Sequence, residues 1–506
     1  MNRRSFLLAS GVAVAAVAIP TTILLTRDPP GADGASTLRL SYNSEEQPDE
    51  KSLLAQILQS QLSSAGITTT LEPLTSASYN DRIGKHAFQA TLTLWYLDYT
   101  DPEGYLTDFY SKAGYRLSGY ANPAYDKAYE AALFSPDQAS QRAGFAAAAK
   151  IIDDDVVWLP LFSNSDLLLI RPDSQGVQSN SCQTYDYRKV ERANLRVATN
   201  IEVQTLDPSL TYDLASKHLV TQSYECLVAL DSANAMVPGL ATSWEWTDGG
   251  KTLVFQLRPG VRFHGGSSDR AMTAADVKAS FERTAGSASP YAYIFDHVVG
   301  IEAFRKKTTT SLEGFEARGD LTFAIRLSRP LPTMLQWLLA PAAAVLPADL
   351  PKNYDFSKGS RGTGPFVLNS WDGAIARYSG HPTYWDAGGR SYAERRLTLS
   401  VIKDPSVQLQ AYEGGELDIL NVPLALFPAV LDPAGALLPR WSGSSLRVVK
   451  LNNLKFIAFN VSGGDQATEL AFRKRIAAAI NRDEIVRKLF RGHARAATSV
   501  VPDGMI

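Results

Sequence analysis

Cysteine is almost missing from this 506-residue chain, which holds only Cys182 and Cys226. Two thiols exclude a disulfide scaffold and a cysteine-rich metal site, and leave one bridge between them open in an oxidising compartment. Excess charge is missing too. The formal net charge is −2, so neither a nucleic acid nor an anionic membrane surface is expected as a partner. Catalytic signatures are equally scarce. Gly362 and Gly364 are too close together, and too soon followed by Pro365, for a phosphate loop or dinucleotide fingerprint. The six histidines are His86, His218, His264, His297, His381 and His493, and none stands four residues from another. That removes the zinc-protease pattern, and no G-x-S-x-G elbow occurs. Asp153-Asp154-Asp155 reads as a solvated helix end. The chain is therefore expected not to be an enzyme, with no catalytic residues, metal site or cofactor.

The length suggests about three domains. Hydrophobic residues make up 45% and charged residues 20%, an ordinary globular balance, and 8 Trp, 21 Tyr and 20 Phe imply large cores. Residues 1–30 read as a targeting segment. Arg3-Arg4 ahead of the apolar run Phe6 to Leu25 looks like a twin-arginine export signal. The run is about long enough to span a bilayer. It is either cleaved, with Ala16-Val17-Ala18 as the best site, or kept as an anchor through residues 6–25. It contains no cysteine to carry a lipid. Residues 31–37 follow as a linker.

From Leu38 onward the pattern is α/β. Leu38–Tyr42 and Ile67–Leu71 read as strands, and Leu53, Leu54, Ile57, Leu58 and Leu62 have helical spacing ended by Gly66. Asn122-Pro123 starts a helix, Gln141 to Asp153 forms another, and Val156 to Phe162 reads as a buried strand. Thr273 with Asp276 forms a capping pattern, and Trp244 to Phe255 a hairpin. The most informative stretch is Leu94 to Leu106, LWYLDYTDPEGYL. Asp98 stands at the end of a buried strand among Trp95, Tyr96 and Tyr99. A carboxylate there must find a partner, because an unpaired buried charge is costly.

The pattern W-x-x-D-Y-x-D-P around Asp98 resembles the ligand-anchoring segment of the family 5 extracellular solute-binding proteins, the peptide/nickel group of ABC importers. Tyr120 to Asp126 and Ile152 to Phe162 carry the same resemblance. So do Leu195 to Asn200 with Thr205-Leu206-Asp207-Pro208, Pro238 to Glu245, Gly362 to Phe366, Gly414 to Ile419, and Phe459-Asn460 with the helix Arg473 to Arg482. The resemblance implies ligand contacts from Asp98, Trp95, Tyr96, Tyr99 and Asp207, with Asp98 pairing a ligand α-ammonium. It implies a periplasmic-binding-protein type II-like α/β fold with two lobes and a small subdomain.

The order of the pieces departs from that family: its last third stands first here. The chain resembles a circular permutation joined near Arg192 to Leu195. A family helix with an Ala-Leu-Leu pattern, expected after Pro502-Asp503-Gly504, has no counterpart before Ile506. On this reading residues 38–160 and 451–506 form one lobe, 161–232 and 351–450 the other, and 233–350 the subdomain. If so, Leu38–Tyr42 and Leu454–Asn460 share a sheet, covered by the helix from Arg473. The expected function is an extracytoplasmic, monomeric binding protein that encloses short peptides or similar amine-bearing solutes by hinge closure. It would deliver them to an importer's membrane subunits. The alternatives are a glycan fragment or metal chelate as ligand, or a sensory or relic domain that transports nothing.

Overall fold

The computed structural model describes residues 36–113, 116–265, 270–388, 391–502 and 504–506. The expected signal or anchor, 1–30, and most of the linker lie outside these. Among the described residues no helix is long and apolar enough to cross a membrane.

The first lobe starts with β1 (Ser36–Asn43). Helix α1 (Pro48–Ser64) opens on a proline, whose missing N–H costs nothing in a first turn, and buries Leu54, Ala55, Leu58 and Leu62. Gly66, at φ +72°, lets the chain reverse into β2 (Ile67–Leu74). β3 (Ala90–Tyr96) follows. Next come α2 (Pro123–Leu133), capped by the Asn122 side chain, and α3 (Gln138–Asp155), capped by Asp137. β4 (Trp158–Ile170) then runs for 13 residues.

The second lobe begins with β5 (Asn194–Thr199) and the short helix α4 (Leu214–Val220). The subdomain holds β6 (Ala241–Thr247), β7 (Thr252–Leu257), α5 (Ala274–Ala285), β8 (Phe315–Ala317) and β9 (Thr322–Arg326). The Thr273 and Asp276 capping box opens α5 as expected. The chain returns to the second lobe through β10 (Phe366–Trp371), β11 (Ile375–Gly380), β12 (Arg396–Val401), β13 (Ile419–Asn421) and β14 (Ser445–Lys450). It ends in the first lobe with β15 (Asn453–Phe459), α6 (Leu470–Ala479), α7 (Arg482–Phe490) and β16 (Ala494–Ala496).

Among the described residues, twelve strands join in one sheet of order β10-β11-β12-β5-β13-β4-β15-β3-β1-β2, with β14 and β16 also on β4. The two chain ends meet here. β1 lies parallel to β3, Leu40 opposite Ala90, and β15 lies antiparallel to β3, Ile457 opposite Leu92. All seven residues of β15 are buried, and Phe456 stacks on Trp158 with ring centroids 3.8 Å apart. Burying each such side chain contributes about 1.5–3 kcal/mol, so β15 is built into the first lobe's core. Phe472, Ile476 and Ile480 of the α6 region pack into the core that holds Leu38, Leu40 and Ile457. The expected covering helix is in place, starting at Leu470 rather than Arg473.

A boundary at residue 160 falls inside a continuous strand. The first part of β4 pairs with β15, from Trp158 to Phe162, and its last part pairs with β14, from Ser165 to Ile170. β4 therefore belongs to both lobes. The polar run Ser163-Asn164-Ser165-Asp166 masks this in the sequence, because the strand continues where the apolar pattern stops. Leu451 and Asn452 make the return crossing between β14 and β15. The subdomain's four-stranded sheet, β6-β7-β9-β8, shares one continuous core with the first-lobe residues Tyr99 to Trp158. Cys182 and Cys226 are both free thiols.

Candidate functional site

The stretch from Trp95 to Leu106 is where the first lobe meets the subdomain. β3 ends at Tyr96, and each acid that follows is answered by donors from distant sequence. Asp98 accepts a hydrogen bond from the Tyr291 hydroxyl at 2.5 Å and faces the Lys217 ammonium of α4 at 3.7 Å. Lys217 is itself 3% exposed and also donates to the Cys182 carbonyl at 2.8 Å. Asp101 accepts from the Glu103 amide at 2.9 Å and the Thr333 hydroxyl at 3.3 Å. Burial, reinforced by the neighbouring Glu103 carboxylate, pushes the Asp101 carboxyl up to about 7. Glu103 accepts from the Tyr99 hydroxyl at 2.8 Å, the Tyr129 hydroxyl at 3.0 Å and the Trp337 indole at 3.1 Å. Trp95 donates to the Gly104 carbonyl at 2.9 Å and packs on Trp158.

A cavity of about 380 Å³ opens beside this segment. One wall comes from the first lobe, with Gln47, Glu50 and Tyr96. The opposite wall comes from the second lobe, with Val197 to Ile201, Ile419 and Asn421. Asn164 and Asp166 of β4 lie between them. The Tyr96 hydroxyl accepts from Gln47 at 3.2 Å. Glu50 is ion-paired with the buried ammonium of Lys455. Asp166 is 8% exposed and accepts from the Tyr185 hydroxyl at 2.8 Å and from the Gln183 amide at 3.0 Å. Burial raises its carboxyl above the usual range, opposed by those hydrogen bonds. His218 lines the same cavity next to Tyr187, at 2.7 Å, and burial pushes its imidazole down to about 4, so it is neutral near pH 7.

Of the five residues expected to contact ligand, Tyr96 lines this cavity, while Asp98, Trp95, Tyr99 and Asp207 do not. Asp98, Trp95 and Tyr99 are turned toward the subdomain and the first-lobe core. Asp207 stands apart from both. It accepts from the Ser209 amide and pairs with Arg283 of α5 at 2.6 Å, fastening the second lobe to the subdomain. Sequence reasoning passed over Glu50, Asp166 and Lys217. The signal for Asp166 was present in the run Phe162 to Ile170, since a carboxylate inside a buried strand poses the question already asked of Asp98.

The description "bacterial extracellular solute-binding proteins, family 5 Middle" belongs to the family model that matches residues 26–116 and 235–506, more than half of the chain. The dipeptide-binding protein of Escherichia coli (strain K12) is 25% identical over 318 residues, covering 60% of this chain and 56% of that protein. The di/tripeptide-binding protein 1 of Pseudomonas aeruginosa (strain UCBPP-PA14) is 29% identical over 284 residues, 53% of this chain and 50% of that one. The probable deoxycholate-binding periplasmic protein YgiS of Escherichia coli (strain K12) is 27% identical over 311 residues, 59% and 55%. Among solved structures, the Escherichia coli murein tripeptide binding protein MppA aligns with TM-score 0.43 and 22% identity, over 47% of this chain and 48% of that one. The chain spans about half the length of the curated relatives it matches.

Proposed function

The chain belongs to the bacterial extracellular solute-binding proteins of family 5, and on that premise we propose that it is the extracytoplasmic binding component of an ABC importer. Its ligand is a short peptide or a similar amine-bearing solute, held between the two lobes. The observation that carries this reading is the cavity whose walls come from both lobes and which β4 crosses. A ligand there touches both sides, so binding favours the closed arrangement of the lobes. At about 380 Å³ the cavity lies at the small end of ligand sites, about 300–1,000 Å³. That size suits two or three residues better than a long peptide. Asp98 is the carboxylate for a ligand ammonium, which would have to displace Lys217 from it.

We also propose that the chain order is circularly permuted relative to the relatives. Supporting this, β1 and β15 flank β3 in one sheet; of the junction expected at Arg192 to Leu195, Arg192 and Ala193 form the link, while Asn194 and the buried Leu195 already belong to β5. Export by the twin-arginine route is part of the same proposal.

Native mass spectrometry of the protein purified from an exporting host tests the functional reading. A bound mass that fragments as a peptide of two or three residues is the expected result. A glycan or a metal chelate in its place overturns the peptide assignment.

A further inference from the structure

We propose that Lys217 is a two-position counter-ion: it pairs with Asp98 until a ligand ammonium takes that carboxylate, and then pairs with Asp213. The inference rests on the reading that a free-amine peptide binds between the lobes with its ammonium on Asp98, and it assigns what the chain does to admit that group.

A ligand ammonium on Asp98 leaves a charge behind. Lys217 faces Asp98 at 3.7 Å, and both side chains are largely buried. Its other partner is the Cys182 carbonyl at 2.8 Å, a neutral acceptor that solvates the ammonium without balancing its charge. Two ammonium groups on one buried carboxylate leave a net positive charge, and a buried charge with no opposite one is costly. Lys217 therefore needs a second acid within reach of its own side chain.

Asp213 meets that need. It stands just before α4, and the Lys217 amide donates to its carbonyl at 3.0 Å, so the two residues lie one turn apart. Side chains four residues apart are neighbours, with Cβ atoms about 5–6 Å from each other, and an acid on the N-terminal side of a lysine is the favoured order. The Asp213 Oδ1 accepts from the Ser216 amide at 2.8 Å and caps the helix. Its Oδ2 is buried, and among the described residues no donor reaches it. Burial raises the Asp213 carboxyl above the usual range, opposed by the hydrogen bonds from Ser216. An ammonium arriving at Oδ2 relieves the cost of that unpaired oxygen. Asp207 and Glu50 are no alternatives, since Arg283 and Lys455 already pair with them.

The exchange gives each cation a carboxylate of its own, the ligand ammonium on Asp98 and Lys217 on Asp213. It also makes admission depend on charge. A ligand without an ammonium does not compensate Asp98, so Lys217 stays in place and keeps that acid closed.

The test uses the full chain and a defined library of di- and tripeptides, Ala-X and Ala-X-Ala, supplied with free and with N-acetylated amines. Members that bind are found by native mass spectrometry and measured by calorimetry. Free-amine members should bind the unaltered protein at least about tenfold more tightly than their acetylated forms. Asp213→Asn keeps the cap, because asparagine caps a helix as well as aspartate does, but removes the second carboxylate. It should weaken the free-amine members by about tenfold or more. Lys217→Met removes the resident cation and should tighten them by about tenfold. With both changes together, affinity should equal that of Lys217→Met to within about threefold, because no lysine is left to rehouse. A co-crystal structure of the unaltered protein with the tightest member should place the Lys217 Nζ about 3 Å from the Asp213 Oδ2. That measurement stands even if a variant folds poorly. Unchanged affinity in either single variant, an equal loss from Asp213→Asn with and without Lys217, or Lys217 still on Asp98 beside a bound peptide overturns the exchange and leaves the peptide-binding reading intact. Failure of every free-amine member to bind overturns both.

Discussion

Breaking the Asp98–Lys217 pair one partner at a time should cost more, summed over the two single changes, than removing both partners together. The two groups lie 3.7 Å apart, with side chains 12% and 4% exposed. At an effective dielectric near 20, unit charges at that separation attract by about 4 kcal/mol, before the cost of drying both groups is subtracted. Lys217→Met keeps most of the side chain's length but leaves a carboxylate that has lost its ammonium. Asp98→Asn preserves an acceptor for Tyr291 but leaves the Lys217 ammonium facing a neutral group, with the Cys182 carbonyl still at 2.8 Å. Each single change should cost about 3–5 kcal/mol. The double change should cost less than the sum, by about 1.5–3 kcal/mol. Urea unfolding followed by tryptophan fluorescence on the four proteins measures the coupling. A coupling below about 0.5 kcal/mol would refute the pairing. It would also leave Asp98 open to a ligand ammonium with no lysine to displace.

Other outcomes follow from the same structure. The Asp101 carboxyl is raised to about 7, above its unfolded value near 4, so the folded state holds a proton that the unfolded state has lost. That contribution is fully present below about pH 4 and is lost as pH rises through about 7. Asp101→Asn, still an acceptor for the Glu103 amide, should flatten the fall in urea midpoint between these limits, an effect on the order of 2–4 kcal/mol. Replacing Arg3 and Arg4 with lysine should strand the protein in the cytoplasm, and normal export on fractionation would exclude the twin-arginine route. Reordering the chain as 194–506, a Gly/Ser linker and then 36–190 should give a protein with the same unfolding midpoint to within a few degrees. Failure of the reordered chain to fold would count against the permutation.

Local signals made much of the fold legible. Asn122 ahead of Pro123, Gly66 after a helical apolar stripe, and Thr273 with Asp276 each describe an element end in chemical terms, and the structure places caps or turns at all three. The meeting of the chain ends was legible because Leu38–Tyr42 and Leu454–Asn460 are short apolar strands with too few neighbours of their own to bury both faces. The extent of β4 was not. Its polar centre reads as a loop, and the register that keeps it in the sheet comes from β14 and β16, more than 270 residues later. The environment of Asp98 was hidden for the same reason. Asking for a partner was sound, but the partners are Lys217 and Tyr291, the second 193 residues away. Nothing in the local pattern separates an internal ammonium from one brought by a ligand.

That ambiguity bears on how buried acids are weighed when a binding site is sought. Glu103 sits deep in the molecule, yet three ring donors converge on it from Tyr99, Tyr129 and Trp337, and the result is a lobe–subdomain joint. Glu225 is similar, holding Tyr384, Trp385 and Thr363. These networks explain their acids completely, since each carboxylate fixes elements that would otherwise drift apart. Asp166 lies on the cavity wall and is held by Tyr185, Gln183 and Asn421, all neutral donors. Burial nonetheless raises its carboxyl above the usual range, so holding it ionised near pH 7 costs stability that an uncharged isostere should relieve. Asp166→Asn should therefore stabilise the protein near pH 7, read as a raised urea midpoint. Glu103→Gln should do the opposite and lower the midpoint, because there the carboxylate fixes three donors from separate elements, and a raised midpoint in both variants would refute the distinction.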